Sequence, residues 1–103
     1  MNETPIPKHV IIGQVTAFTT FPYQVVIEGE AYFLTRCDEK YRLLSSICPH
    51  AGGQVVIHQA KLVCPLHMWT FEPSTGDCLI VREAKLAHFE VIEHDGHLIA
   101  TLP

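Results

Sequence analysis

Apolar positions recur along this chain in short runs, none longer than four residues, separated by polar or turn-forming groups. His9–Phe18 is apolar but interrupted near Gly13. Tyr23–Ile27 and Ala31–Arg36 flank Glu28-Gly29-Glu30, which predicts a hairpin. Asp38-Glu39-Lys40 then turns the chain into Tyr41–Ser46, and Val55–Ile57 and Lys61–Val63 flank His58-Gln59-Ala60. Thr70–Glu72 precedes the turn cluster Pro73-Ser74-Thr75-Gly76-Asp77, and Leu79–Val81 follows it. Phe89–Glu93 and Leu98–Leu102 flank His94-Asp95-Gly96-His97, where Asp-Gly between two apolar runs is a strong hairpin signal. Only Arg82–His88 is rich in helix formers, and it is barely two turns long. The pattern predicts an all-β chain of stacked antiparallel sheets, a small sandwich or barrel-like stack. Met1–Pro7 holds two prolines and little pattern, and reads as a loose leader.

Composition narrows the function more than the fold. The 103 residues suit one domain, residues 1–103, with no room for a catalytic domain beside a cofactor domain. Leu, Ile, Val and Phe number 32, too many for a disordered chain. The short apolar runs offer no membrane span, and Met1–Pro7 lacks the basic and apolar regions of a secretory signal, so a cytoplasmic protein is expected. The formal charge of −4 argues against nucleic acid as a partner. Four Cys and seven His are the unusual inventory, and without a secretion signal they point to metal rather than disulfides.

The candidate chemistry lies in two matched segments, Cys48-Pro49-His50-Ala51-Gly52-Gly53 and Cys64-Pro65-Leu66-His67-Met68-Trp69. The pattern is C-x-H, thirteen residues, then C-x-x-H. Zinc sites usually pair ligands of one kind, and C-x-H is tight for two ligands on one tetrahedral ion. Two metal atoms side by side relieve this, one taking the thiolates and the other the imidazoles. A zinc-stapled interaction domain remains an alternative.

With these residues in view, the chain resembles the Rieske [2Fe–2S] ferredoxins, in which two His replace two Cys on one iron. The resemblance runs from about Val10 to Leu102. It rests on the four ligands, the Pro after each Cys, the Trp69-x-Phe71 pair and the Thr75-Gly76 turn. It implies that Cys48 and Cys64 ligate an inner iron and His50 and His67 an outer one. The implied cofactor is one [2Fe–2S] cluster, held by loops at about 47–53 and 64–69 that form a small cluster-binding subdomain.

The implied function is a soluble, monomeric one-electron carrier, not itself an enzyme. It would pass electrons from a flavoprotein reductase to a terminal oxygenase, either an aromatic-ring dioxygenase or a diiron monooxygenase. Docking would be transient and salt-sensitive, at the His50/His67 surface, with Leu66, Met68 and Gly52–Gly53 as an apolar rim. The alternative role is the small subunit of a larger reductase such as nitrite reductase. Three departures stand out: the short gap of thirteen, Met68 where many members have Gly, and no proline in Val81–Leu86. High-potential members carry Ser and Tyr where this chain has Trp69 and Phe71, and a loop-bridging disulfide where it has Gly53 and Leu66. The resemblance therefore implies a potential near the low end of the range, about −150 mV.

The remaining candidates have plainer expectations. Cys37 and Cys78 read as buried or partly buried free thiols. His9, His58, His88, His94 and His97 read as surface or strand-end residues, and Trp69 as a core plug beside the cluster. Acidic residues such as Glu28, Asp38, Glu39, Glu90 and Glu93 read as solvated turn or strand charges.

Overall fold

The computed structural model describes residues 7–49, 52–66 and 68–103. The leader lies almost wholly outside the described residues, and so do His50, Ala51 and His67. The described chain forms nine strands: β1 Lys8–Gln14, β2 Tyr23–Ile27, β3 Glu30–Cys37, β4 Lys40–Ser45, β5 Val56–His58, β6 Lys61–Cys64, β7 Trp69–Phe71, β8 His88–His94 and β9 His97–Leu102. They build a six-stranded sheet, order β1-β9-β8-β4-β3-β2, and a three-stranded sheet, order β5-β6-β7. Every strand pairing is antiparallel, as the alternating pattern predicts.

Tight turns set the registers. Ile27 pairs with Glu30, His58 with Lys61 and His94 with His97, leaving two residues in each turn. Those residues all have positive φ: Glu28 and Gly29, Gln59 and Ala60, Asp95 and Gly96. This is the type I′ hairpin, whose twist matches that of its strands. At Gln59-Ala60 no glycine eases that conformation. Near Gly13 the β1 register shifts, which is the expected interruption, and the chain then enters a 3-10 turn over Val15–Ala17.

Alternation along β3 and β4 divides the molecule into two cores. Leu34 pairs with Leu43, and both face a base core with Val91, Leu98, Ala100 and Leu102. Phe33 pairs with Leu44, and both face the opposite side, toward Val55, Leu62, Phe71 and Leu86. Strand β8 serves both halves of the large sheet. Its residues 88–90 pair with β4 and 91–94 with β9. Buried Ser46, just past β4, keeps its hydroxyl satisfied by donating to the Ala31 carbonyl at 2.7 Å. In the Ala31–Ser46 corner, Tyr32 donates to Glu30 at 2.7 Å, and burial together with that carboxylate pushes its phenol pKa up to about 12.

Two expectations need correction. Leu79–Val81 is not a strand. Only the first steps follow β7, with a Phe71–Cys78 bridge and the Leu79 N–H donating to the Thr70 carbonyl. The Val81 N–H then turns onto the Cys78 sulfur at 3.3 Å, and the chain bends away. Arg82–His88 forms no helix, in line with the all-β reading, because its backbone groups serve neighbours instead. Ala84 accepts from Cys78, Leu86 donates to Gly76, and Lys85 bridges to Asp77. Cys37 is exposed rather than buried, because it lies past Thr35, the last buried position of β3. Cys78 is buried as expected.

Candidate metal centre

Two loops at one end of the three-stranded sheet carry the candidate ligands. The first leaves β4 and closes on itself. Ile47 bridges to Gln54, the Cys48 N–H donates to the Gly53 carbonyl at 2.8 Å, and the Gly52 N–H donates to the Cys48 carbonyl at 2.9 Å. The Val55 N–H continues this ladder to the Ser46 carbonyl at 2.7 Å. The second loop joins β6 to β7, where Cys64 pairs with Trp69 across the connection. Met68 re-enters the ladder with φ +58°, a left-handed conformation disfavoured for any residue but glycine. The glycine that the resemblance implies at this place would suit that φ, and this chain has Met instead.

The loops meet through Gly53. A Cβ there would lie 2.6 Å from Leu66 Cδ1 and 3.0 Å from Cys64 Sγ. A side chain at position 53 would displace the exposed Leu66 and crowd Cys64 Sγ, so the constraint on this glycine is one of space rather than of φ. Cys48 and Cys64 are each 1% exposed and belong to one core cluster with Phe33, Val55, Leu62 and Phe71. Trp69 is half-buried and packs against that cluster, in keeping with its reading as a core plug. The donor set fits a cluster on the thiolate side: two buried cysteines on facing loops, with a glycine opened against one sulfur. His50 and His67, the two expected imidazole ligands, lie outside the described residues.

A third segment, residues 78–84, covers the flank of β7. The Cys78 N–H donates to the Ala84 carbonyl at 2.9 Å, and Val81 and Ala84 pack on the core shared by Cys48 and Cys64. Leu79 follows Thr70 in register, with its N–H donating to the Thr70 carbonyl at 2.8 Å, before the chain bends away. Leu79 is 54% exposed and Ile80 61%, comparable with Leu66 at 61% and Met68 at 62%. Exposed apolar side chains are thus not confined to Leu66 and Met68. The run Cys78–Val81 was visible in the sequence, but its exposure was not, since a four-residue apolar run reads equally well as a buried strand. The expected surface histidines behave as read: His9, His58, His88 and His94 are exposed and His97 is half-buried.

Comparison with known proteins agrees with this arrangement. The family model described as the Rieske [2Fe-2S] domain matches residues 9–98. A curated relative, the cholesterol 7-desaturase nvd of Hemicentrotus pulcherrimus, is 28% identical over 86 residues, covering 70% of this chain but 16% of that protein. The chain therefore spans about a sixth of the length of that relative. Among solved structures, the ferredoxin of carbazole 1,9a-dioxygenase from Nocardioides aromaticivorans IC177 superposes with a TM-score of 0.63 at 18% identity, covering 89% of this chain and 95% of that one. The plasma membrane Rieske protein PetC3 from Synechocystis PCC 6803 gives a TM-score of 0.69 at 18% identity, covering 88% and 97%. A protein described as an NADH-dependent nitrite reductase small subunit from Mycobacterium tuberculosis gives 0.65 at 14% identity, covering 96% and 98%. At these identities the superpositions speak for the fold. Among the described residues, no helix is long and apolar enough to cross a membrane.

Proposed function

Because this chain belongs to the Rieske [2Fe–2S] domain family, we propose that it takes electrons from a flavoprotein reductase and delivers them to a terminal oxygenase. Family membership makes it an electron-transfer protein with a Rieske-type cluster. The rest of this reading is ours: one domain over residues 1–103, acting as a cytoplasmic monomer and not performing the oxygenation itself. Cys48 and Cys64 hold the inner iron, and His50 and His67 the outer one. When bound, the cluster supplies reversible one-electron transfer.

The observation that carries the reading is a gradient of burial across the two loops. Cys48 and Cys64 are sealed in the core, while the neighbouring Pro49, Gly52, Leu66 and Met68 are exposed. Such a gradient suits a cofactor anchored from within and contacted from outside. The protein's own residues then do three things. The two cysteines fix the cluster, the Gly53 backbone packs against Cys64, and the exposed Leu66 and Met68 offer apolar side chains to a partner. A mainly apolar contact holds a partner by burial, so docking is less salt-sensitive than charge patterning alone suggests.

Ligation is tested by His50→Cys and His67→Cys. Each variant is expected to lose the wild-type Rieske EPR features, and retention in both would refute the ligand assignment. A second reading, the small subunit of a larger reductase, is favoured by the near end-to-end match in length to the nitrite reductase subunit. Stable co-purification with a large subunit would decide for it. Transient capture by an oxygenase would decide against it.

A further inference from the structure

The tip of the β8–β9 hairpin gathers metal-binding side chains outside the cluster loops. His94 and His97 are cross-strand partners that flank the Asp95-Gly96 turn. Directly paired residues project to the same side of a sheet, with Cβ atoms about 4.5–5.5 Å apart. In the adjoining Glu93–Leu98 pair, Leu98 lies in the base core, so both imidazoles stand on the outer face.

The turn already orders both rings. His97 Nδ1 lies 3.1 Å from the Asp95 carbonyl oxygen. A carbonyl only accepts, so this contact puts the ring proton on Nδ1 and leaves the Nε2 lone pair open to a metal. His94 Nε2 lies 3.4 Å from Asp95 Oδ2. That is longer than a charge-assisted hydrogen bond of about 2.7–2.9 Å. It matches the spacing of about 3.3–3.6 Å between two donors that each stand about 2.0–2.2 Å from one tetrahedral zinc ion. Among the described residues, no three such side chains converge on one point as they stand. The His94 and Asp95 side chains are 70% and 86% exposed, so they are free to rotate toward His97 Nε2. The hairpin from His88 to Leu102 holds Glu90, Glu93 and Asp95 and no Lys or Arg, so no cation of its own competes for Asp95.

We propose that His94, Asp95 and His97 bind one zinc-type divalent ion, with water completing its coordination, at a site separate from the cluster. Two imidazoles and a carboxylate suit such an ion, whereas magnesium takes an all-oxygen shell. The ion would clip β8 to β9 at their turn. The Ser45 N–H donates to the Ala87 carbonyl where the first cluster loop begins, and β8 runs from there to the tip. His88 to His94 spans about 20 Å at ~3.3 Å per residue, so the ion would leave the cluster loops untouched.

The test titrates zinc sulfate into the oxidised, 15N-labelled holoprotein and follows imidazole and backbone NMR signals together with the visible spectrum. Saturation at one zinc per chain below about 1 mM is expected, with shifts confined to residues 93–98 and an unchanged visible spectrum. Magnesium sulfate should shift none of these signals. His94→Gln and His97→Gln are each expected to weaken zinc binding by about tenfold or more. Asp95→Asn keeps a residue suited to the positive φ of the turn, and is expected to weaken zinc binding severalfold without lowering the melting temperature. Comparable zinc shifts at His9, His58 and His88, one zinc shared by two chains, or unchanged affinity in His94→Gln would overturn the proposal. So would the lack of any saturable shift at His94 and His97.

Discussion

Gly53 and Met68 show how single positions shape the cluster end, one by space and the other by backbone. A methyl group at position 53 collides with Leu66 Cδ1 and presses on Cys64 Sγ. Gly53→Ala is therefore expected to cost about 1–3 kcal/mol and to lower iron content per chain, read from visible absorbance and denaturant unfolding. Adding Leu66→Ala should recover part of both losses. Full cluster content in Gly53→Ala would show that the loops do not meet as described. Met68 keeps an exposed apolar side chain at a φ that favours glycine. Met68→Gly is expected to stabilise the fold by about 1 kcal/mol while slowing electron delivery to the acceptor. A variant that is more stable and equally fast would remove Met68 from the docking face. The spacing singled out the two cysteines, and the structure buries both in one core cluster. The role of Gly53 was not legible, since nothing local marks a glycine whose constraint comes from residues eleven and thirteen positions away.

At the scale of elements, the hairpins were the most legible part of the fold. Glu28-Gly29 and Asp95-Gly96 carry turn chemistry that positive φ requires, and both form as expected. Gln59-Ala60 forms the same turn without that chemistry. Ala60→Gly is accordingly expected to raise the melting temperature by several degrees and to leave electron transfer untouched, the opposite pairing from Met68→Gly. No gain in melting temperature would mean that Ala60 carries no strain. Segment 78–88 was the least legible. Its apolar residues suggested a strand, but hydrogen bonds to Thr70 and Gly76, and a local one from Val81 to the Cys78 sulfur, decide its path. Propensity over so few residues is a weak prior against bonds of that kind.

The whole molecule is a base core and a cluster-side core set back to back across β3 and β4. This arrangement predicts that mutations sort by face rather than by position in sequence. Leu34→Ala empties the base core and Leu62→Ala the cluster-side core, and each is expected to cost about 2–5 kcal/mol. Only Leu62→Ala should also lower cluster retention at a temperature where both variants are folded. Equal retention would contradict the division. The overall all-β class was legible because strand alternation needs no partner to be seen. The two-core arrangement was not, because it depends on which face each β3–β4 pair presents, and on β8 dividing its length between two neighbours.

In the proposed function this chain is a one-electron carrier whose loops hold a low-potential Rieske cluster. Phe71 is fully buried and Trp69 half-buried at the places where the resemblance implies hydroxyl donors in high-potential members, and a phenyl or indole ring offers the cluster sulfurs no such hydroxyl. An EPR-monitored redox titration of the reconstituted protein tests this most directly. The account predicts a single one-electron transition of a Rieske-type signal near −150 mV. A midpoint above about zero, or a reduced signal of the all-thiolate type, would contradict it.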